Sequence, residues 1–210
     1  STWWRILPSV SDAVLETKLH PPLPSRGFVS RERLLENLNR GLSGSLTVVS
    51  AAAGFGKTTL LGDWVASLPQ PVAWLSLDER DNDLAAFLTS LVAALRRIKP
   101  DLGEGVLSLL RSPQQPETRA LLTPLVNEIA TIPEDSLLVL DDYHLLDDRR
   151  LSEALTFLVE NLPSSFHLVL AGREDPPLPL PRLRARGRLN ELRARDLRFR
   201  QSEATAFFAS

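Results

Sequence analysis

The chain has 210 residues, a formal net charge of -2 and no cysteine. This length allows one sizeable core with a small appendage, and the balanced charge argues against a surface that coats nucleic acid. The lack of cysteine excludes disulfides and thiolate metal sites, and no apolar run approaches the roughly 18 residues of a membrane span, so we expect a cytoplasmic protein without membrane contact.

The N-terminal part begins with an extension of undecided structure. Apolar residues recur between positions 1 and 18, and this pattern fits a short packed helix as well as sequence that merely flanks the domain. Pro21, Pro22 and Pro24 follow, and they predict an extended connector because each proline disfavours helix at the preceding residue. We therefore assign residues 1–25 to an N-terminal extension and linker.

A helix, a strand and a second helix are predicted next. Ser30 is a candidate N-cap for a helix over residues 31–38, with glycine beyond the end of that helix. The apolar run at residues 46–50 predicts a buried strand, and the helical pattern resumes at residues 57–68. A loop that contains glycine connects this strand to the second helix.

That loop has the composition of a phosphate-binding loop. Glycines allow successive backbone N–H groups to turn toward a polyphosphate, and the start of the following helix adds positive potential. Lys57 would supply a cation for the outer phosphates, and the Thr58 hydroxyl would bind Mg²⁺. The pattern G-x-x-x-x-G-K-[ST] would place a glycine at Ala51, so the first glycine is missing, and a plain glycine turn with an exposed lysine is the alternative. The predicted loop comprises Ala53, Gly54, Phe55, Gly56, Lys57, Thr58 and Thr59.

The middle of the chain alternates between strand and helix patterns. A strand is predicted at residues 72–77 and a helix at residues 84–95, where apolar side chains recur at helical spacing. Glu79, between them, is a candidate for positioning water, and a solvated loop acid explains it at least as well. One or two helices are predicted over residues 102–132, with Pro124 expected to kink or divide them.

An apolar run at residues 137–140 ends in two adjacent carboxylates, Asp141 and Asp142. The run predicts a strand buried on both faces of a parallel sheet, and ligands of open α/β sheets bind at the carboxyl ends of such strands. Asp141 would hold Mg²⁺, directly or through water, and Asp142 would position or polarise an attacking water. Two acids after a strand are also typical of a turn or a helix cap.

A further strand is predicted at residues 166–171, and Arg173 follows it. A guanidinium there would extend from the same edge of the sheet and contact the γ-phosphate, because its planar fork suits phosphate oxygens. A surface ion pair with Glu174 or Asp175 is the alternative. A fifth strand is predicted around residues 191–199.

The C-terminal part is rich in arginine, with eight arginines between residues 182 and 200. Glu191 and Asp196 offset part of this charge, so a solvated surface or an interface within the protein is favoured over a nucleic-acid contact. Ser202 and Glu203 are candidates to cap a final helix. We therefore expect residues 201–210 to begin a helical domain.

Strands that alternate with helices predict a parallel sheet covered on both faces. Over residues 26–200 we expect an α/β fold of three layers, α/β/α, around a mostly parallel sheet of about five strands, as in RecA-like and AAA-like P-loop NTPases. The additional strand between Lys57 and Asp141 indicates that another strand separates the loop strand from the acidic strand. This order favours ATPases that activate water over kinases of nucleotides or small molecules.

Six linked stretches carry a resemblance to a known family. They are HPP at residues 20–22, FVSRERLL at 28–35, AGFGKTTLL at 53–61, WLSLDE at 74–79, LDDYH at 140–144 and LRARG at 183–187. Together they resemble the N-terminal ATPase domain of MalT-like regulators, which are large LuxR-type (LAL) transcriptional activators in the STAND class of signal-transduction ATPases. The resemblance covers about residues 18–208, and members of the family often lack the first glycine of the loop.

The resemblance implies a molecular switch. ADP would hold the protein inactive, while ATP and a small-molecule or protein inducer would favour a self-associated form that binds DNA through a C-terminal domain, with slow hydrolysis as the reset. It also implies that Phe28, Val29 and Arg31 lie by the adenine, Lys57, Thr58 and Thr59 at the phosphates and Mg²⁺, Asp141 at the metal, and Arg173 at the γ-phosphate as its sensor.

Two other functions stay open at this point. One is a nucleotide-binding module that keeps ATP or ADP as a structural ligand without turnover. The other is a RecA-like ATPase that acts on nucleic acid. Single-turnover hydrolysis separates the switch from the first alternative, and turnover stimulated by DNA would support the second.

Overall fold

The computed structural model describes residues 14–22, 29–112, 116–201, 203 and 205. Its centre is a sheet of five strands in the order β2, β3, β4, β1, β5, and every neighbouring pair is parallel. The strands are β1 (Leu46–Ser50), β2 (Val72–Ser76), β3 (Ser136–Asp141), β4 (Phe166–Gly172) and β5 (Leu189–Arg193). Because β4 lies between β1 and β3, the predicted separation of the loop strand from the acidic strand is confirmed.

Helices fill the connections between these strands, as parallel neighbours require, and a further helix precedes β1 and another follows β5. They are α1 (Glu32–Gly41), α2 (Lys57–Ser67), α3 (Leu84–Leu95), α4 (Glu104–Leu110), α5 (Thr118–Ile129), α6 (Arg149–Asn161), α7 (Leu180–Ala185) and the single turn α8 (Ala194–Leu197). No helix among the residues that the structure describes is long and apolar enough to cross a membrane.

The sheet is buried on both faces because alternate residues of its central strands pack into two separate clusters. On one face, Val49 and Val139 pack with Trp64 of α2 and Leu38 of α1. On the other face, the neighbouring strand residues pack with α3, α5 and α6, as Phe87 illustrates. The three-layer α/β/α fold with a parallel sheet of five strands is therefore confirmed.

A short helical turn, Glu16–Leu19, packs against the outer strand β2. Leu19 is buried in the cluster on that side of the sheet. Lys18 forms ion pairs with Asp81 and, at 3.2 Å, with Asp78. The carboxylate of Asp81 is almost fully buried and also accepts hydrogen bonds from the Ser90 hydroxyl at 2.7 Å and the Asp78 amide at 2.9 Å. This network ties the N-terminal segment to the loop after β2 and to α3.

The long helical region is not divided at Pro124, where division was one of the two outcomes that the sequence predicted. The region contains two helices, α4 and α5, but Pro124 lies inside α5 and does not divide it. Pro124 lacks an N–H, so the bond to the carbonyl of Ala120 is not made, while the rest of the helix is held by packing against α4 and α6. The division falls before α5, where the sequence has Pro113 and Pro116.

Two further predictions about element ends are wrong. The Ser30 side chain does not cap α1, which begins at Glu32 after Arg31, because the Ser30 hydroxyl donates to the Asp63 carboxylate at 2.8 Å. The fifth strand ends at Arg193 and does not reach residue 199, because the Asp196 carboxylate accepts a hydrogen bond from the Arg193 amide at 2.9 Å and starts the turn α8.

Some predictions lie outside the described residues. These are the elements at positions 1–13, Pro24, Phe28 and the Ser202 cap. Glu203 is described, and its carboxylate accepts a hydrogen bond from the Arg200 amide at 2.8 Å. This is the contact expected of an acid in the first turn of a helix.

Candidate functional site

The loop between β1 and α2 is shaped by two glycines. Gly54 has φ of 83° and Gly56 has φ of 70°, in the left-handed region that side chains with a Cβ avoid. A Cβ placed on Gly54 would meet no atom within 4 Å, so the space beside it is open. Gly56 directly precedes α2, whose first backbone N–H groups have no partner within the helix. The loop therefore presents amides and a helix N-terminus to an open space, as an anion requires.

Lys57 is folded back over this loop. Its Nζ donates hydrogen bonds to the carbonyl oxygens of Ala51 at 2.7 Å and Ala52 at 3.1 Å. Burial lowers the pKa of Lys57, although the nearby carboxylates of Asp142 and Asp141 act in the opposite direction. The ammonium is thus held at the site by the backbone of the loop and lies in the field of two acids.

The structure brings Thr58 and Asp141 into direct contact. The Thr58 hydroxyl donates to Asp141 Oδ2 at 2.7 Å. Asp141 is 2% exposed, and burial together with the charge of Asp142 raises its pKa, against the effect of the Thr58 hydrogen bond. A hydroxyl and a buried carboxylate side by side are the oxygen ligands that Mg²⁺ accepts, and a cation would offset the desolvation of the carboxylate. This pair therefore fits Mg²⁺.

Asp142 follows with an unusual backbone conformation. Its φ is 58°, and its amide donates to Asp141 Oδ1 at 3.0 Å. The side chain of Asp142 is 47% exposed, whereas the neighbouring Asp141 is almost fully buried. The carboxylate of Asp142 is therefore available to water, whereas that of Asp141 is not.

His144 is a residue of this site that the sequence prediction missed. Its Nδ1 lies 3.7 Å from Asp142 Oδ1, and this buried nitrogen has no hydrogen-bond partner among the described residues. Burial lowers the pKa of His144, so the ring is neutral near pH 7. In the sequence its position two residues after Asp142 was the only signal.

Arg173 lies directly after β4, close enough for its charge to lower the pKa of Lys57 and of His144. The alternative surface pair is not formed in the described part of the chain. Asp175 pairs with Arg193 instead, and no ion pair joins Arg173 to Glu174. Arg173 is exposed, and it lies at the same sheet edge as the two aspartates.

Arg31 is the predicted adenine-side residue with the most contacts. It is 4% exposed, and it donates to the carbonyl oxygens of Leu197 at 2.9 Å and Gly56 at 3.4 Å. Its guanidinium also lies over the Phe199 ring, 5.2 Å from the centroid. Arg31 thus links the loop to the C-terminal part of the chain.

The other predicted site residues are placed as follows. Val29, Phe55 and Thr59 are half-buried, whereas Ala53 and Glu79 are exposed. Phe55 packs against the cluster beneath α1 and α2. The structure records no hydrogen bond or ion pair between Glu79 and the described residues at the loop.

Several of the C-terminal arginines are paired within the chain. Arg184 binds Glu191 at 2.8 Å, and Arg182 binds Glu160 at 3.0 Å. Arg188 donates to the Ser45 hydroxyl at 2.6 Å. These contacts agree with the expectation of an interface within the protein.

Comparison with known proteins gives the family and two sets of relatives. The AAA ATPase domain family matches residues 28–171. The serine/threonine-protein kinase PknK of Mycobacterium tuberculosis is 35% identical over 193 residues, which is 90% of this chain and 17% of the relative. The HTH-type transcriptional regulator MalT of Yersinia enterocolitica is 34% identical over 195 residues, which is 93% of this chain and 22% of the relative. The chain thus spans about a fifth of the length of these homologues.

Solved structures show the same fold at low sequence identity. A Signal Transduction ATPase with Numerous Domains (STAND) protein of Pyrococcus horikoshii, with a tetratricopeptide repeat sensor, has a TM-score of 0.65 at 16% identity and covers 92% of this chain and 27% of its own. A Walker-type ATPase of Pyrococcus abyssi has a TM-score of 0.56 at 15% identity and covers 96% of this chain and 61% of its own. With a P-loop NTPase fold and a match over residues 28–171, the chain belongs to the AAA ATPase domain family.

Proposed function

We propose that this chain is the ATP-binding and slowly hydrolysing switch domain of a transcriptional regulator. The observation that carries the proposal is the 2.7 Å contact between the Thr58 hydroxyl and the buried Asp141 carboxylate, next to the loop that holds Lys57. In one small volume this arrangement offers amides for phosphate, a cation and an oxygen pair for Mg²⁺. The homology to an HTH-type transcriptional regulator supports the regulatory part.

Each residue has a role in this proposal. The loop amides and Lys57 bind the phosphates, and Thr58 and Asp141 hold Mg²⁺, which neutralises charge on the phosphate oxygens when bound. Asp142, the more exposed acid, polarises the water that attacks the γ-phosphate. Arg173 contacts that phosphate from the end of β4. Phe28, Val29 and Arg31 lie by the adenine.

The remaining parts of the proposal concern the whole protein. ATP or ADP in this site controls self-association and the DNA binding of a separate C-terminal domain, in response to a small-molecule or protein inducer in the cytoplasm. The exposed Arg173 supports a sensor of the γ-phosphate, because a free guanidinium can respond to the difference between ATP and ADP.

Calorimetry and single-turnover hydrolysis with three variants test the proposal. Lys57→Ala is expected to lower nucleotide affinity at least about tenfold, because it removes a charge-assisted contact to phosphate. Asp142→Asn is expected to keep the affinity within about twofold and to slow hydrolysis at least about a hundredfold, since it removes only the group that acts on water. Lys99→Ala, which removes the same charge beyond the end of α3, serves as the control.

The outcomes are distinct. Equal loss of binding in Lys57→Ala and Asp142→Asn would refute the separate roles. Bound ATP that stays intact over hours would leave a nucleotide-binding module without turnover. Turnover that rises on addition of DNA would indicate a nucleic-acid ATPase.

A further inference from the structure

Arg33 makes several hydrogen bonds to a C-terminal segment of the chain. We call this segment the latch segment; it consists of residues 196–200 together with Glu203. The Arg33 guanidinium donates to the carbonyl oxygens of Asp196 at 2.7 Å and Arg198 at 2.8 Å. It also binds both carboxylate oxygens of Glu203, at 2.8 and 3.1 Å. One planar side chain thus makes four hydrogen bonds to the latch segment, and bidentate contacts of this kind are the strong ones.

Glu203 is well matched to this partner. Its side chain is only 12% exposed. Burial acts to raise its pKa, but the Arg33 hydrogen bonds and the Arg200 amide outweigh this effect, and the net pKa is lowered. The carboxylate is therefore ionised and bonded on one side to Arg33 and on the other to the backbone of the latch segment.

Arg31, two residues earlier, joins the same segment to the phosphate-binding loop. One nitrogen donates to Leu197 in the latch segment and another donates to the Gly56 carbonyl at 3.4 Å. Leu197 is 2% exposed and packs in the cluster beneath α1 and α2. The loop contact is long, whereas the contact to Leu197, at 2.9 Å, has ordinary length.

The Gly56 carbonyl and the Lys57 amide belong to one peptide group. Because a trans peptide is planar, its C=O and N–H point in opposite directions. The Gly56 oxygen also accepts a hydrogen bond from the Leu60 amide at 2.9 Å, so α2 already holds this peptide group in place. A phosphate that accepts from the Lys57 amide polarises the peptide group and makes its oxygen a stronger acceptor. Such a chain of hydrogen bonds is cooperative, so the phosphate strengthens the contact between Arg31 and Gly56.

We propose that Arg31 and Arg33 form a latch through which nucleotide bound at the loop tightens the attachment of the latch segment to the domain. Phosphate polarises the peptide group between Gly56 and Lys57, Arg31 shortens its contact with Gly56 and becomes fixed, and Leu197 is held with it. Arg33 and Glu203 hold the rest of the latch segment in the position that this response requires. This latch rests on the proposed function, since it requires nucleotide at the loop.

Hydrogen exchange measured by mass spectrometry on the 210-residue chain tests the latch. The probe is ADP with Mg²⁺, and the readout is the exchange rate of peptic peptides that cover residues 194–203. In the unmodified chain, saturating ADP is expected to slow this exchange at least about fivefold, the lower end of common coupling between sites. In Arg33→Ala the ADP effect is expected to fall below about twofold. Calorimetry run in parallel is expected to show ADP affinity reduced by the same factor, because coupling is reciprocal.

Two further variants still test the latch if Arg33→Ala does not fold. Glu203→Gln preserves volume but removes the ionised partner, and Arg33→Lys preserves charge but removes the fork, so both are expected to lose most of the ADP effect. Arg149→Ala, which breaks an exposed pair with Glu153, is the matched control and is expected to retain the full effect.

Two results would overturn the latch. If calorimetry shows ADP binding while exchange at residues 194–203 does not respond, or responds equally in Arg33→Ala and Glu203→Gln, the latch is wrong and the proposed function stands. If calorimetry shows no magnesium-dependent binding, the proposed function fails and the latch falls with it.

Discussion

Thr58 and Asp141 are 83 positions apart in the chain, yet their side-chain oxygens lie 2.7 Å apart. The sequence predicted both as ligands of one metal because the loop after β1 and the end of β3 must meet at the same edge of a parallel sheet. The motifs after β1 and β3 identify the two residues, and the order of the elements brings them to one edge. The roles of these residues stay predictions until the variants are measured.

The contacts of Arg31 and Arg33 could not be predicted in the same way. Most of their acceptors are backbone carbonyls, at Gly56, Asp196, Leu197 and Arg198, which any residue supplies. No spacing or residue type in the sequence marks such acceptors. The buried position of His144 beside Asp142 was missed for a related reason, because a single histidine after two acids has no pattern of its own.

The Tyr143 hydroxyl gives a prediction about stability. The side chain is 3% exposed, and its oxygen has no hydrogen-bond partner in the described part of the chain. Burial raises the Tyr143 pKa well above its usual range, so the hydroxyl stays protonated. We expect Tyr143→Phe to raise the free energy of unfolding by about 1 kcal/mol, since it removes a buried polar group and keeps the ring. Urea unfolding measures this change. Tyr143→Leu should lower stability, and a loss in Tyr143→Phe would mean that the hydroxyl is satisfied.

At the scale of elements, the sequence predicted the strands better than their ends. Each predicted strand exists because an apolar run of this length has to be buried between helices, and no local contact changes that. The ends depend on single side chains. Asp196 stops β5 at Arg193, and Asp63 takes the hydroxyl of Ser30 that was expected to cap α1.

The contact between β1 and β4 contains a buried histidine with a predictable effect of pH. His167 Nδ1 lies 3.0 Å from the Gly44 carbonyl, which can only accept, so Nδ1 carries the proton and Nε2 accepts from the Thr47 hydroxyl at 2.9 Å. Burial lowers the His167 pKa below its usual 6.5, despite the Gly44 hydrogen bond. Between the folded pKa and about 6.5, His167 therefore binds a proton in the unfolded chain but not in the folded protein. We expect stability to fall as the pH drops below about 6.5 and this loss to level off below the folded pKa.

Urea unfolding of His167→Gln between pH 5 and 8 checks the assignment. This interval includes the usual histidine pKa of about 6.5. Within it, the free energy of unfolding of the variant should lose the part of its pH dependence that comes from the His167 ring. An unchanged slope would place the titration at another group.

The ion pair between Lys18 and Asp81 gives a prediction about the N-terminal segment, residues 14–22. Lys18 is 13% exposed on its side chain and pairs with a carboxylate that is 2% exposed. Lys18→Met would keep the apolar stem but leave the Asp81 charge without a cation. We expect a loss of roughly 3 kcal/mol, the lower end of values for broken buried pairs. Arg149→Ala, in an exposed pair, should cost less than about 0.5 kcal/mol. Equal effects in chemical denaturation would show that the N-terminal segment is not bound through this network.

At the scale of the whole molecule, nucleotide should stabilise the folded chain. A ligand at 100 times its dissociation constant adds about 2.7 kcal/mol, which corresponds to a rise in the unfolding midpoint of roughly 5 to 10 °C for a domain of this size. Removal of Mg²⁺ with EDTA should abolish most of the rise, because the charge of the Asp141 and Asp142 pair is then not balanced. Thermal scans with and without ATP measure it. A rise that persists in Lys57→Ala would place the ligand at another site.

The left-handed backbone of Asp142 has a consequence for how this molecule can change over generations. It is the only residue other than glycine with a positive φ in the described ranges. Such a conformation costs most residues about 1 to 2 kcal/mol, aspartate less than most, and glycine nothing. A change of Asp142 to glycine would relax the main chain in the same step that deletes the carboxylate. Under the role proposed for Asp142, one mutation would thus remove the acid that acts on water without straining the fold, so only activity and not folding would favour the aspartate.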